Sequence, residues 1–379
     1  MEQPQLRSRV VELFLDLCAI PSPPGEERAV ADRVTRELDA MGLEWAEDDC
    51  GPTIGSTAGN VLCRLPGRTD QGTPIFLCAH FDTVPLAGNL DPVVGEDGIA
   101  RNAGGTILGA DNKSALAVMV EAARRILEEG RQHAGVELLF TPMEEIGLVG
   151  ADAFDTGRLE ARVGFVYDQA APIGEVVTGS PTAQELELTF VGRAAHAGMY
   201  PEEGRSAIVA AARAIADMQL GRIDELTSAN VGLVRGGTAR NVVAERCTLE
   251  AEVRSHDDGR VTEVVQQILD AAAFAASVSD CTLETRVEPK YRGYRFRNDD
   301  PAVRLSVEAL ARAGFEARLG LSGGAADANV FNARGLSCVN LANGMTDIHT
   351  PEERIAVEDL DRMVDVTLAL VDVARESRA

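Results

Sequence analysis

The apolar positions of the chain follow two spacings, one typical of helices and one typical of buried strands. Apolar residues between 10 and 18 recur every three or four positions, which predicts a helix that ends before the prolines at 21–24. Further helices are predicted at 26–41 and 114–129. Short apolar runs predict strands at 60–64, 75–79, 136–141 and 163–167. Strands that alternate with helices in this way indicate an α/β sheet that is covered on both faces.

The pattern changes near Ser180. Apolar and polar residues alternate from 186 to 190, which predicts a half-buried strand, and a predicted helix at 205–220 follows. The next predicted elements are strands at 229–234, 248–254 and 283–289 and a helix at 259–276. The order β-α-β-β-α-β is that of a ferredoxin-like unit. The α/β pattern then resumes, so we expect an inserted domain at 180–293 within a larger domain formed by 1–179 and 294–379.

Composition narrows the classes of function. The 379 residues carry a formal net charge of −24, which argues against a nucleic-acid partner, because such proteins need a cationic face. The first twenty residues contain no uninterrupted apolar core, and no later apolar run is long enough to span a bilayer. The seven cysteines form no C-x-x-C pair, which fits a reducing compartment. We therefore expect a cytoplasmic protein with no membrane partner.

Residues that could bind a ligand or take part in catalysis lie where the predicted strands end. In open α/β sheets, ligand sites form at the carboxyl ends of the strands, so acidic and histidine side chains that follow several strands are expected to share one rim. Five separate segments carry such residues, which are His80 with Asp82, Asp111, Glu144 with Glu145, Asp168, and His349.

Each of these residues has an ordinary explanation when it is taken singly. Asp111 can cap a helix, the two glutamates can lie in a solvated loop, and His80 can be a satisfied interior histidine. Together, however, five carboxylates in one crevice repel each other or hold protons unless cations neutralise them. The positive charge of two divalent cations equals the negative charge of three ligating carboxylates and a bridging hydroxide, and two imidazole ligands add no charge. Mixed nitrogen and oxygen ligands suit zinc, with cobalt or manganese as substitutes.

The spacing within these segments suggests separate roles. Asp82 lies two residues after His80, on the same side of an extended chain, so its carboxylate can hold the second imidazole nitrogen. Glu144 and Glu145 point to opposite sides of an extended chain, so one can bind a metal while the other serves as general base. Two metal ions about 3.5–4 Å apart lower the pKa of a shared water and polarise a carbonyl group.

Six motifs follow one another along the chain. They are His80-x-Asp82, Gly-Ala-Asp-Asn-Lys at 109–113, Glu-Glu-Ile-Gly at 144–147, Asp168, Ala-His-Ala-Gly at 195–198, and Asp-Ile-His-Thr-Pro-Glu-Glu at 347–353. In this order they resemble the two-zinc exopeptidase family of peptidase T, carboxypeptidase G, aminoacylase and succinyl-diaminopimelate desuccinylase. The resemblance covers essentially the whole chain, and the segments 20–27 and 322–329 are most similar to the peptidase T branch. It implies a mixed-sheet α/β catalytic domain with an inserted ferredoxin-like α+β lid domain.

The resemblance also implies a role for each residue of the rim. Asp111 would bridge two zinc ions, and Glu144 would be the base that activates the bridging water. The peptide bond after Asp111 is expected to be cis, as in relatives. The other ligands would be His80 and Asp168 at one zinc and Glu145 and His349 at the second.

Residues of the inserted domain are implied to act on the substrate. His196 would stabilise the oxyanion, and in relatives this histidine often reaches across a dimer. The alternative explanation is that His196 is an ordinary histidine in a surface loop. Asn241 and Arg254 match the lid pattern of the family. Arg254 is a candidate anchor for the terminal carboxylate of the substrate, or else an exposed arginine paired with Asp257. The other two histidines, at 133 and 256, match no motif and are expected to face solvent.

The segment at 322–329 carries both a candidate substrate contact and a departure from the family. Gly323 and Gly324 would let the substrate approach backbone amides, or else they simply form a turn. The peptidase T branch usually has a serine or threonine in this loop, whereas here Ala325 and Ala326 precede Asp327. The departure bears on the choice of substrate and leaves the metal ligands unaffected.

The sequence therefore predicts a zinc-dependent, tripeptidase-like aminopeptidase that acts on short peptides. The alternatives within the family are an amidohydrolase of N-acyl amino acids and a carboxypeptidase. A non-catalytic metal- or peptide-binding scaffold is the alternative from another class, and the complete set of catalytic positions argues against it. The resemblance also allows a homodimer formed through the lid domain.

Overall fold

The computed structural model describes residues 8–85 and 87–377, which form two compact units. The first unit holds the described residues up to Thr178, then Phe296–Ser322, and continues from Ala326. The second unit comprises Gly179–Arg295 and Gly323–Ala325. The structure thus groups Gly323–Ala325 with the inserted segment, whereas the sequence placed them in the last part of the larger domain. The assignment of catalytic and lid domains stays a prediction.

The helices and strands are numbered in chain order. The α-helices are α1 (Arg9–Cys18), α2 (Arg28–Ala40), α3 (Gly51–Ile54), α4 (Ala110–Glu128), α5 (Val149–Ala153), α6 (Ala207–Asp217), α7 (Asp258–Val278), α8 (Pro301–Arg312), α9 (Ala328–Ala333) and α10 (Val357–Glu376). The strands are β1 (Trp45–Glu47), β2 (Val61–Leu65), β3 (Ile75–His80), β4 (Pro92–Val94), β5 (Ile99–Asn102), β6 (Val136–Thr141), β7 (Val163–Gln169), β8 (Glu175–Ser180), β9 (Thr182–Val191), β10 (Gly221–Asp224), β11 (Thr227–Gly236), β12 (Arg246–Ser255), β13 (Thr282–Tyr291), β14 (Tyr294–Arg295), β15 (Arg318–Leu321), β16 (Ser337–Ala342) and β17 (Arg354–Ala356).

A mixed sheet lies at the centre of the first unit, in the order β1-β2-β6-β3-β7-β16-β8, and β15 pairs with β8. The inner strands β6, β3, β7 and β16 are parallel to one another, whereas β2 pairs with β6, and β8 with β16, in antiparallel fashion. Every residue of β3 and β6 is buried. Strands that are buried on both faces have continuous apolar sequences, which is why they were predictable. The predicted mixed α/β fold is confirmed.

The helix α4 begins with two residues that are not helical. Asp111 has a ψ of 101° and Asn112 has a φ of −120°, so the regular helix starts near the predicted position at Ser114. The peptide bond between Asp111 and Asn112 is cis, as expected. The Asp111 side chain lies beside His80, the last residue of β3.

The second unit contains an antiparallel sheet in the order β10-β11-β12-β9-β13. Side chains of β12 alternate between buried and half-buried positions, and its apolar residues pack with those of α6 and α7 in one core. The order β11-β12-β9-β13 is that of a ferredoxin-like unit. The structure adds β10, a short and mostly exposed strand, to the predicted β-α-β-β-α-β order. Four residues with little burial leave no clear periodic signal.

The two histidines that match no motif are both removed from solvent to some extent. His133 is only 2 % exposed, so the prediction that it faces solvent is wrong, and burial lowers its pKa. His256 is half-buried.

None of the helices in the described part of the chain combines the length and the apolar composition that a membrane span requires.

Candidate metal centre

The predicted metal ligands meet at the carboxyl ends of the parallel strands. His80 is the last residue of β3, and Asp168 lies near the end of β7. Glu145 follows the end of β6, and His349 lies in the loop after β16. Because parallel strands end at the same edge of a sheet, four distant segments bring their side chains together there.

Asp111 contacts both histidines, each through a different carboxylate oxygen. Its Oδ1 lies 3.2 Å from Nε2 of His80, and its Oδ2 lies 3.2 Å from Nε2 of His349. Nε2 of His80 is also 3.5 Å from Oδ1 of Asp168, and Nε2 of His349 is 3.1 Å from Oε2 of Glu145. The five side chains therefore form two halves that share one carboxylate, which is the arrangement expected of a bridging ligand.

The buried polar atoms of this cluster fit divalent cations. Nε2 of His80, Oδ1 of Asp111 and Oε1 of Glu145 are buried, and although the first two lie 3.2 Å apart, none of the three makes a hydrogen bond of good geometry with the described residues. Two groups of side chains could each hold a metal ion, because the candidate ligand atoms within each group lie within 4.8 Å of one another. One group is His80, Asp111 and Glu145, and the other is His80, Glu144 and Asp168. Buried nitrogen and oxygen atoms that are left without partners in this way are suitable ligands for a metal ion.

Burial gives the carboxyl groups of the cluster unusual proton affinities. Burial, with the neighbouring charge of Asp111, raises the pKa of Asp168 to about 8. Burial, together with the charge of Asp168, also raises the pKa of Glu144 well above its ordinary value. Asp111 and Glu145 raise the pKa of His349 to about 10. Without a cation the cluster therefore retains protons, and metal ions can take their place.

Asp82 supports the cluster through more contacts than the one predicted. Its carboxylate accepts hydrogen bonds from the backbone N–H groups of Glu144 (2.9 Å) and Glu145 (3.1 Å). Nδ1 of His80 lies 2.9 Å from the backbone carbonyl of Asp82 and 3.5 Å from its carboxylate, the group that was predicted to hold this nitrogen. Because a carbonyl only accepts hydrogen bonds, Nδ1 carries a proton, which leaves Nε2 as the nitrogen that can bind a metal. The sequence argument missed the hydrogen bonds from the two glutamate N–H groups.

One proposed ligand and the residue before the two glutamates adopt backbone conformations that are rare for residues with a side chain. Met143, just before the two glutamates, has a φ of 56°, and His349 has a φ of 63°. Such left-handed conformations are uncommon outside glycine and cluster at functional sites. The side chain of His349 is 46 % exposed, whereas the other four predicted ligands are almost fully buried.

Sequence reasoning missed several residues that hold the ligands. The fully buried Glu353 accepts hydrogen bonds from the backbone N–H groups of Asp111 (2.9 Å) and Gly109 (2.7 Å). The side-chain amide of Asn112 donates to Asp168. Glu353 and Asn112 both lie inside the quoted motifs, so their positions were visible in the sequence, but their partners were not.

His196 and Asn241 belong to one loop region of the second unit. The exposed His196 accepts hydrogen bonds at Nδ1 from the N–H groups of Gly198 (3.2 Å) and Met199 (3.1 Å). Its Nε2 therefore carries the proton and is a hydrogen-bond donor. The backbone carbonyl of Asn241 accepts from the N–H of Ala197 at 2.9 Å, which joins the two segments.

The other predicted substrate residues also lie in the second unit. Arg254 forms an ion pair with Glu252 at 2.9 Å, so the suggested pairing with Asp257 is wrong. The carboxylate of Asp257 instead accepts from the N–H of Arg260 at the start of α7. A side chain at Gly323 would meet no atom within 4 Å, and the carbonyl of Gly324 accepts from Oγ of Ser180. The structure thus shows no steric need for glycine at 323.

Comparisons with known proteins show the family to which the chain belongs. The chain is 37% identical to an uncharacterized protein, YqjE of Bacillus subtilis (strain 168), over 97% of this chain and 98% of the relative. It is similar to the structure of aminopeptidase PepT from Bacillus cereus ATCC 10987 (36% identity, TM-score 0.88, 97% and 98% of the two chains covered). It is also similar to a tripeptidase from Staphylococcus aureus subsp. aureus mu50 (34% identity, TM-score 0.93, 98% and 100% covered). Residues 76–373 match the model of Peptidase family M20/M25/M40, and the chain belongs to this family of metal-dependent peptidases.

Proposed function

We propose that this protein is an aminopeptidase that cleaves short peptides, with tripeptides as the main substrate class, and that it uses two zinc ions. The observation that carries the proposal is the position of Asp111, whose two oxygens each face a different histidine 3.2 Å away. The similarity to structures named aminopeptidase and tripeptidase, at 34% identity or more, supports the choice of substrate. Cobalt or manganese would be substitutes for zinc.

The proposed ligands are His80 and Asp168 in one half, Glu145 and His349 in the other, and Asp111 in both. When bound, two such ions lower the pKa of a water molecule and polarise a peptide carbonyl. The protein supplies carboxylates and imidazoles that already face one another, and four of the five side chains are almost fully buried.

Glu144 is the proposed general base. Its carboxyl group is buried beside Asp168, and its backbone is held by Asp82. Glu144 takes a proton from the attacking water and donates it to the amine that leaves. The neighbouring Glu145 stays available as a ligand.

The inserted segment is proposed to act as a lid that binds the substrate. His196 would donate from Nε2 to the oxyanion. Arg254 would bind the terminal carboxylate of the peptide, with Asn241 and the backbone at Gly323 and Gly324 as further contacts. A homodimer formed through this segment is part of the same proposal.

The decisive experiment combines metal analysis with a peptide panel. The purified protein is expected to contain two divalent ions per chain and to hydrolyse free tripeptides, and a chelator is expected to abolish this activity. An N-acetylated tripeptide should resist cleavage because an aminopeptidase requires the free amine. The Glu144→Ala variant should keep its metal content and lose about 10²–10⁴-fold in kcat.

Other outcomes would identify the alternatives. Cleavage of the N-acetylated peptide at the same rate would favour an amidohydrolase, and release of the last residue first would favour a carboxypeptidase. If the protein were saturated with zinc or cobalt and cleaved no peptide, a binding scaffold would replace the enzyme. Unchanged turnover in Glu144→Ala would remove Glu144 as the base.

A further inference from the structure

Asn112 is fully buried beside the proposed metal site, and its side-chain amide makes two hydrogen bonds. Nδ2 donates to Oδ1 of Asp168 at 2.7 Å and to the backbone carbonyl of Tyr167 at 2.8 Å. A carbonyl has no proton to donate, and neither has an ionised carboxylate. The amide nitrogen of Asn112, rather than its oxygen, must therefore face both groups.

The contact fixes the orientation of the Asp168 carboxylate. The same Oδ1 lies 3.5 Å from Nε2 of His80. A carboxylate oxygen has two lone pairs, so Asn112 occupies one and leaves the other available on the side of His80. The main chain of Asp168 is held separately, since its N–H donates to Oδ1 of Asn340 at 2.8 Å. Asn340 thus sets the position of the residue, and Asn112 sets the rotation of its carboxylate.

The other half of the metal site is held by different residues. The backbone N–H of Glu145 donates to Asp82, and Oε2 of Glu145 contacts His349. The two side-chain hydrogen bonds of Asn112 go to Tyr167 and Asp168, in the half that contains His80. A change at this amide therefore acts mainly on one of the two halves.

We propose that Asn112 is a positioning residue that orients Asp168 for the metal ion held by His80, and that the two metal sites consequently depend on it unequally. The inference rests on the proposed two-metal function. A side chain that hydrogen-bonds a metal ligand commonly contributes 10–100-fold to metal affinity. We expect a loss of this size at the site of His80 and Asp168, and an unchanged affinity at the site of Glu145 and His349.

The test measures metal binding directly. The metal-free wild type, the Asn112→Leu variant and the Asn343→Leu variant are titrated with Zn²⁺ by calorimetry, and the Co²⁺ absorption spectrum is recorded for each. Leucine has the shape of asparagine without its donor. Asn343 is the matched control, because it is also buried and also donates to the carbonyl of Tyr167 (3.0 Å) but makes no bond to Asp168.

The wild type and Asn343→Leu should bind two ions. Asn112→Leu should bind one ion with the affinity of the wild type and a second ion at least 10-fold more weakly. Two ions bound with unchanged affinity by Asn112→Leu, or equal weakening of both, would overturn the proposal. If circular dichroism shows that Asn112→Leu does not fold, Asn112→Ser replaces it, since its hydroxyl is one atom shorter than the amide and should produce the same selective loss.

The two proposals fail in different ways. A wild type that binds two ions and hydrolyses no peptide would contradict the proposed function, while the metal titration of Asn112→Leu would still decide the present inference. A wild type that binds two ions and hydrolyses tripeptides, together with an Asn112→Leu variant that binds both ions normally, would contradict the role of Asn112 alone.

Discussion

The carboxylate of Asp82 holds the backbone of Glu144 in place, with Oδ1 of Asp82 accepting a hydrogen bond from the Glu144 N–H at 2.9 Å. The second oxygen of Asp82 does the same for Glu145. One carboxylate, located just after β3, thereby orients both the proposed base and a proposed ligand that follow β6. The proposed base is thus positioned by a residue that lies 62 positions earlier in the chain.

We therefore expect the Asp82→Asn variant to lose activity. Asparagine retains one acceptor oxygen, but its amide nitrogen cannot accept a hydrogen bond from a backbone N–H. kcat should fall by about 10–100-fold, and the affinity for one of the two ions should weaken. Asp155→Asn is the control, because Asp155 also accepts from a backbone N–H, in the 3₁₀ turn at Thr156–Arg158. Equal kcat in Asp82→Asn and the wild type would contradict this role.

The Glu353→Gln variant should bind both metal ions more weakly than the wild type does. Each oxygen of Glu353 accepts a backbone N–H, one from Asp111 and one from Gly109, and glutamine can satisfy only one of them. Leaving a buried N–H without a partner costs about 1–3 kcal/mol of folding free energy. Because Asp111 faces both histidines, a shift of its backbone affects both sites. Calorimetric titration with Zn²⁺ checks this, and selective loss of a single ion would contradict the expectation.

Asp327 should make the metal-free protein less stable as the pH rises. It is buried, its Oδ2 accepts from Oγ1 of Thr141 at 2.6 Å, and burial raises its pKa to about 6. The folded state holds a proton that the unfolded state releases near its ordinary pKa of about 3.9, so stability falls between about pH 4 and 6. The variant Asp327→Asn removes this loss.

The measurement for Asp327 is the unfolding free energy of the metal-free wild type and Asp327→Asn at several pH values. The stability of the variant relative to the wild type should rise between about pH 4 and 6, by roughly 3 kcal/mol at most, and should stay constant above that range. A difference that does not change with pH would show that the Asp327 carboxyl does not titrate in this window.

Arg254 is tested through the terminal carboxylate of the substrate. In the Arg254→Lys variant the positive charge remains, but the two-pronged contact of a guanidinium is lost. KM for a free tripeptide should rise about 10-fold with a small change in kcat. A tripeptide amide, which has no terminal carboxylate, should be cleaved equally by the variant and the wild type. The same rise in KM for the amide would exclude carboxylate binding by Arg254.

Much of the fold could be predicted because burial leaves a periodic record in the sequence. The buried strands β3, β6 and β7 appear as continuous apolar runs, and α1 and α2 appear as regular apolar spacing. Short or exposed elements such as β10 and β14 carry little buried surface, so the pattern does not reveal them. The residues that follow the apolar strands were also predictable, since the ends of parallel strands share one edge.

The sequence by itself determined which residues gather at that edge, and their shared negative charge is the basis for the proposed cations. Only the tertiary structure decided which atoms meet. The carboxylate of Asp82 accepts two backbone N–H groups in addition to facing the imidazole of His80, Arg254 pairs with Glu252, and Asn112 donates a hydrogen bond to Asp168. Periodicity reports whether a side chain is buried, whereas its hydrogen-bond partner depends on strand order and on contacts between segments far apart in the chain, such as Glu353 and Asp111, which are 242 positions apart.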